Sequence, residues 1–412
     1  MFNARQLLGL ALSCKAISHL KDASLRNALA TNLSDLLRYQ NMLCRYDKMA
    51  LKSLDIFSVH GFPVGLIQCE SNILGLRNTV NGTAIGSGGW ANIVEKYAKA
   101  KAYCVAPFEI LHKNGSKIQV PIRGERIGDD EGPNGNDKRN VSLNCSSATS
   151  VDLPANSLDA ILTDPPYFSN VQYAELMDFC YVWLRRLLKD EVAFTPKSTR
   201  NANELTGNIT MERGLKHFTE GMSAVFSRMA SALKPGAPFV FTYHHNFIDA
   251  YYPLAVAILD AGLTCTASLP CPAEMGGSIH ISGTGSSIVD TIFVCRSTGA
   301  ISRRYVADDP AGIADLIRSD INELGAGEYT ATRGDIRCLI FGHLIRLTVW
   351  KLRQSWIKEQ RVEDKLVAIG NEVSRLGGPE TIERYIVDAD ADQKHRYKAM
   401  VKSARSTSQF SS

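Results

Sequence analysis

The chain reads as an α/β protein, part of an open and largely parallel sheet with helical regions added at its N- and C-terminal ends. Three observations predict this. Runs of β-branched, aromatic and aliphatic residues at 158–163, 239–243, 264–269 and 288–295 have strand length and lie between turn signals. The first three runs alternate with segments whose apolar residues recur at spacings of three and four, the pattern of amphipathic helices. The last two runs are joined without a helical pattern, so the final strand is expected to insert antiparallel.

Taken in order, residues 2–57 carry two expected helices, Arg5 to Leu20 and Leu25 to Tyr46, and a third lies near 90–102. The stretch from Gly124 to Asn136 is rich in turn formers and reads as a linker or loop. The expected organisation is a mixed, mainly helical region over 1–136, a sheet-bearing half over 137–300, and a helical region with a basic tail over 301–412. Val141 to Asn144 is a short strand. Leu158 to Thr163 is a second, entered from a turn at Pro154 to Ser157. Leu176, Phe179, Val182, Trp183 and Leu187 mark a helix from Val171 to Leu188. Thr195 to Gly207 is polar and irregular, and reads equally as a target-recognition loop or a connector. A helix from Met211 to Leu233 stops at Lys234-Pro235-Gly236. Phe239 to Tyr243 is a central strand, Ile248 to Asp260 a helix capped by Gly262, and Thr264 to Leu269 and Ile288 to Cys295 the last strands. Met275 to Ser287 is a glycine- and serine-rich loop without the Gly-Lys-Ser/Thr ending of a P-loop. Ile336 to Trp356 is amphipathic, and the tail from Lys394 is basic.

Composition bounds the function class. With 412 residues, 45% hydrophobic and 21% charged, the chain can bury a sizeable core. Its net charge of +4 favours a polyanion only mildly. Ten scattered cysteines with no Cys-x-x-Cys argue against a zinc ribbon and against a secreted disulfide scaffold. No apolar run reaches transmembrane length, so a cytoplasmic protein is expected. His244 and His245 invite a metal reading. Adjacent residues in extended chain point opposite ways, however, and no carboxylate or cysteine is spaced to join them, so no metal is expected.

The most informative residues are Asp164, Pro165, Pro166 and Tyr167, just beyond the strand that ends at Thr163. Open α/β sheets place their chemistry at the carboxyl ends of strands. A carboxylate and the Pro165 carbonyl can both accept from an aromatic NH2 group, which draws its nitrogen toward a nucleophilic geometry. The prolines fix φ and hold these acceptors in place beforehand. Tyr167 offers a flat face for an extruded base, and on this reading its hydroxyl is dispensable. Phe168, Asn170, Tyr173 and His244 are the candidate substrate contacts, with an N-cap role for Ser169 or Asn170 fitting equally well. A strand-ending turn is the structural alternative for the motif as a whole.

The segment from Thr163 to Arg186 resembles a family of large prokaryotic adenine-specific DNA methylases, some of them found in anti-phage gene clusters. Phe2 to Leu8, Cys44 to Asp47, Gly88 to Trp90, Ser147 to Thr149 with Leu153-Pro154, and Pro270 to Glu274 are similar to the same family. The resemblance covers most of residues 1–300, as the C-terminal half of a family member. It implies a partial Rossmann-like (class I) methyltransferase sheet that uses S-adenosylmethionine to methylate the N6 amino group of adenine in DNA. It also implies cofactor contacts at Ser147, Ala148 and Asp164. The family's strand followed by Phe-x-Gly-x-Gly is not found. Gly86 to Gly89 is the nearest glycine cluster, and it reads better as a loop capping the helix from Trp90. The expectation is therefore a target-base half, with a second chain supplying the glycine-rich half. A catalytically inactive DNA-binding subunit, or an amino-methyltransferase acting on cytosine N4 or an RNA base, are the alternatives.

Overall fold

The computed structural model describes residues 1–49, 52–58, 61–62, 69–113, 116–122, 142–169, 171–208, 211–272, 287–297 and 305–387. The expected linker at 124–136, Val141, Asn170, the loop from Met275 to Ser286 and the tail from Lys394 lie outside them. The chain is mixed α/β and divides into two compact units: residues 1–145 with 172–204, and residues 146–171 with 205–412.

The first unit opens with α1 (Ala4–Ser18) and α2 (Ala23–Leu37). Asn3 and Gln6 form a capping box at the start of α1, and Asp22 caps α2 by accepting from the Leu25 amide. The second helix stops short of the expected Tyr46. The Asn41 side chain donates to the Leu37 carbonyl at 2.9 Å and closes the C-terminus, an interaction that competes with continued helix. Two small ladders follow, β1 (Tyr46–Asp47) with β2 (Lys52–Ser53) and β3 (Leu76–Arg77) with β4 (Ala84–Ile85). Next come α3 (Trp90–Val105), a hairpin of β5 (Phe108–Lys113) and β6 (Ser116–Pro121), and α4 (Tyr173–Leu184). Leu10, Leu33, Leu36, Leu37, Ile56 and Ile93 form the core with Phe179 and Cys180 of α4. Phe2 stacks on Phe179 at 5.7 Å.

The glycines at 86–89 serve this packing. Gly89 is the N-cap of α3, and a Cβ there would lie 2.4 Å from the Gly75 Cα. The first amides of α3 are taken by the Ile73 and Leu74 carbonyls. The cluster is a helix-entry loop, and the helix amides that follow it are bonded to protein carbonyls.

The second unit holds β7 (Ile161–Thr163), α5 (Leu215–Ala232), β8 (Phe239–Tyr243), α6 (Tyr252–Asp260), β9 (Thr264–Pro272) and β10 (Val289–Arg296). After these come α7 (Pro310–Ala326), α8 (Arg333–Leu352) and α9 (Val362–Arg375). Its sheet has the order β7-β8-β10-β9. β7 and β8 run parallel, with Ile161 opposite Phe239, and β10 lies antiparallel between β8 and β9, as the missing helix between the last two runs predicts. Alternation decides the faces: Phe239, Phe241, Tyr243, Phe293 and Cys295 join residues of α5 to α9 in one core. Gly342 lets α8 approach β10, because a Cβ there would lie 2.8 Å from Thr291 Cγ2. The C-terminal helices thus share a core with the sheet. Val240, Thr242, Asp290, Ile292 and Val294 carry the opposite parity and are half-buried. Leu162 on the edge strand β7 is 79% exposed.

Two expected strands are shorter or absent. Residues 142–144 carry no strand, and Leu143 is 93% exposed, since no neighbouring strand among the described residues offers it a ladder. The run from Leu158 forms a ladder only from Ile161, with Leu158 making a single parallel bridge to Leu233.

Candidate functional site

β7 ends at Thr163, so Asp164 leaves the sheet at the carboxyl edge, level with Thr242 on β8. Thr242 Oγ1 donates to Asp164 Oδ1 at 2.5 Å, which fixes one carboxylate oxygen while Asp164 remains exposed. Pro165 is buried and Pro166 half-buried, so the turn is clamped from within. The Tyr167 ring packs 5.0 Å from that of Tyr243 at a tilt of 60°. Its hydroxyl faces Asp290, Thr242 and Asp164. Burial, and then the Asp290 charge, push its pKa well up, so it stays a neutral phenol.

Tyr243 supports this turn from below. Its hydroxyl accepts from the Phe168 amide at 3.2 Å and donates to the Ala250 carbonyl at 2.9 Å. Ser169 then takes a left-handed φ of 55°, uncommon for a residue with a side chain and typical of constrained functional turns. Gly207 makes room for it, since a Cβ there would come within 2.8 Å of the Ser169 amide nitrogen.

Asp290 completes the cluster. Register places it on β10 one residue past the Thr291–Tyr243 pair, on the side-chain parity of Thr242. Burial, reinforced by the nearby Asp164 charge, pushes its carboxyl up to about 6. His244 Nδ1 lies 4.0 Å from Asp290 Oδ1 and 3.7 Å from Cys338 Sγ of α8. Burial lowers the pKa of His244, which favours the neutral ring. Burial likewise raises the Cys338 thiol to about 11, so it is no nucleophile at neutral pH.

Of the candidate residues, Asp164, Pro165, Pro166, Tyr167 and His244 come together at this edge. Phe168 turns its ring onto the buried Phe218 at 5.3 Å. Tyr173 is the first residue of α4, in the other unit, and Asn170 lies outside the described residues. Ser147 bonds Thr149 Oγ1 at 2.8 Å and accepts backbone bonds from Ser150 and Val151, so its polar atoms close their own turn. His245 bonds the Phe247 amide and carbonyl and serves the turn after β8. The segment after α4 is tied down: Asp178 accepts from Ser198 Oγ, the Thr199 amide and Thr199 Oγ1, and Glu204 accepts from the Ala174 amide. Thr242 and Asp290 were missed in the sequence. A lone carboxylate inside the apolar run 288–295 was the available signal.

The cluster is chemically specific. An exposed carboxylate held by Thr242, a second carboxyl raised to about 6 and a neutral phenol lie together at the strand ends. Such a set can accept hydrogen bonds from an amino group, attract a cation and pass a proton. Two carboxylates and an aromatic ring match the charge of a sulfonium, so the reacting end of S-adenosylmethionine fits these residues. The glycine-rich turn that would hold the rest of that molecule is not found among the described residues.

No protein-family model, curated protein or solved structure matches the chain.

Proposed function

We propose that this chain carries the target-amine half of an S-adenosylmethionine-dependent methyltransferase acting on the exocyclic N6 amino group of adenine in DNA. The observation that carries this reading is the placement of Asp164-Pro165-Pro166-Tyr167. The motif leaves the carboxyl end of a parallel strand in a sheet whose last strand inserts antiparallel, and Thr242 holds its carboxylate. The strand order agrees with the second half of a class I methyltransferase sheet, in which this edge is where substrates meet. Asp164 and the Pro165 carbonyl accept from the amine and aim its lone pair, while Tyr167 supplies a face against an extruded base. The bound cofactor supplies an activated methyl group, so orientation is the protein's main contribution. The glycine-rich part of the cofactor site comes from outside these residues, and a second chain is the source we favour. Among the described residues no strand pairs with the outer edge of β7, which is consistent with that.

Methylome sequencing tests the reading in cells carrying the gene, lacking it, or carrying Asp164→Ala as the only allele. The expected result is N6-methyladenine at one sequence motif in the first strain and its loss in the other two. An identical methylome in all three strains refutes the reading. Loss in the deletion strain alone would assign Asp164 to a strand-ending turn.

The outer edge of β7, which no strand among the described residues pairs, and the lack of a glycine-rich cofactor turn among them also favour a second reading, a non-catalytic DNA-binding subunit. That reading predicts DNA binding by the chain with no methylation that depends on it.

A further inference from the structure

We propose that Asp290 is the proton-accepting residue of this site. It is reached from Asp164 through the Tyr167 hydroxyl, and takes the proton that an aromatic amine sheds on gaining a methyl group. The inference rests on the methyltransferase reading above.

The placement of Asp290 is the reason to ask what it does. Aspartate is disfavoured inside strands, and a half-buried carboxylate is costly without a cation. Its side chain is 24% exposed, and among the described residues no lysine or arginine pairs with it. The groups facing it are Asp164 and Tyr167 from the turn after β7, His244 from the end of β8, Cys338 from α8, and Cys271 as its register partner on β9. Burial lowers the His244 pKa and so disfavours a cation beside Asp290. Only the Tyr167 hydroxyl stabilises an ionised Asp290, and it is outweighed by burial and by the Asp164 charge, an environment that suits a carboxylate able to gain and lose a proton. Structural burial alone would be served better by an apolar residue, like its neighbours Ile288 and Ile292.

The proton balance is as follows. The amine nitrogen uses its lone pair to form the N–C bond, the S–C bond leaves its electron pair on sulfur, and the nitrogen is left with one proton too many. Asp164 takes that proton on the oxygen facing the amine. Tyr167 accepts it on the phenol oxygen while passing its own hydrogen to Asp290, so the phenol ends unchanged. Asp290 holds the proton because burial and the Asp164 charge raise its carboxyl, and releases it to water at the exposed rim.

Carboxyl-carbon NMR titration of the full chain provides a readout that needs no turnover. One aspartate should titrate near 6 in the wild type and vanish in Asp290→Asn, and its midpoint should fall in Asp164→Asn and shift in Tyr167→Phe. Asp164 is exposed, so Asp164→Asn keeps the test readable even if Asp290→Asn fails to fold. An Asp290 that titrates in the ordinary carboxylate range, or is indifferent to both neighbours, overturns the proposal. In parallel, methyl transfer from labelled S-adenosylmethionine to unmethylated DNA is followed in extracts of cells carrying each allele. The wild-type rate should rise with pH through about 6. Asp290→Asn should lose that limb and slow by about tenfold or more, with rescue by Asp290→Glu. An unchanged limb and rate in Asp290→Asn also overturns the proposal. If the coupled titration is present but no extract methylates DNA, the methyltransferase reading fails and so does the destination assigned to the proton. The carboxylate pair itself would stand.

Discussion

Thr242 donates its hydroxyl hydrogen to Asp164 Oδ1 at 2.5 Å, joining two residues 78 positions apart in the sequence. The bond exists because β7 and β8 run parallel in fixed register, so the residue after β7 lies beside the fourth residue of β8. Asp164 itself stays exposed at the sheet edge. A carboxylate restrained in this way loses little rotamer freedom when a ligand arrives, which is the advantage of preorganisation.

The ring and the hydroxyl of Tyr167 should separate on mutation. Tyr167→Ala removes the stacking face and empties the space beside Tyr243, so methylation and DNA retention should both fall. From the sequence alone, Tyr167→Phe would be mild. In the structure its hydroxyl faces both carboxylates, so Tyr167→Phe should keep DNA affinity while slowing methyl transfer. Rate and affinity measured side by side decide between a stacking residue and a relay.

Asp290→Asn should change stability in a pH-dependent way. A carboxyl raised to about 6 in the fold favours folding while protonated, and that contribution is lost as pH rises through 6. The asparagine variant should therefore match the wild type near pH 4 and exceed it above about pH 7, by at most about 2–3 kcal/mol. Partial exposure favours the lower part of that range. Thermal melts at the two pH values measure it, and a variant less stable at high pH would contradict the sign.

The pair Asp260–Lys365 should matter more than any surface ion pair. Both side chains are 6% exposed, with Lys365 Nζ 2.9 Å from Asp260 Oδ1, and Trp356 Nε1 donates to the same oxygen. Lys365→Met should cost about 3–5 kcal/mol by stranding a buried charge. Adding Asp260→Asn should recover much of the loss. Denaturant midpoints of the single and double variants provide the check.

The glycine cluster at 86–89 provides a contrast within four residues. Gly89→Ala puts a Cβ 2.4 Å from the Gly75 Cα, so backbone must shift and the first unit should be destabilised by about 1–3 kcal/mol. Gly86 has open space around it but a φ of +77°, so Gly86→Ala should cost only about 1 kcal/mol. Equal effects at the two positions would refute the packing role.

The chain alone should bind S-adenosylmethionine weakly, since the glycine cluster at 86–89 leads into a helix whose first amides are bonded to protein carbonyls. Calorimetry on purified chain should find no saturable binding at micromolar ligand. Tight binding would locate a cofactor turn among residues outside the described set.

Local signals in the sequence carried much of this fold. The strand at 239–243 and the stop at Lys234-Pro235-Gly236 depend on alternation and turn chemistry within a few residues, and both stand where expected. Turn chemistry also put Asp164 at a strand end. What depended on distant partners was not legible. Asn41 ends α2 by bonding back to Leu37, a competition that periodicity does not register. Leu143 lies in a run of strand character and forms no strand, because a ladder needs a neighbour. Asp290 joins Asp164 only through sheet register across β8, which no local pattern encodes. The hairpin of β5 and β6 was legible and overlooked, since Asn114-Gly115 between β-rich runs is a strong turn signal.

The order in which the elements are synthesised differs from the order in which they find partners. α4 completes the core of the first unit but is translated after β7, which belongs to the second. β7 in turn has no partner until β8 is made, with α4 and α5 intervening. On the ribosome, the N-terminal helices must therefore wait, with the face that receives Phe179 open, while the start of the other unit is already emerging. Any single cut that keeps one unit whole also leaves part of the other attached, β7 on residues 1–204 or α4 on residues 146–412, so limited proteolysis should release mixed fragments rather than clean domains.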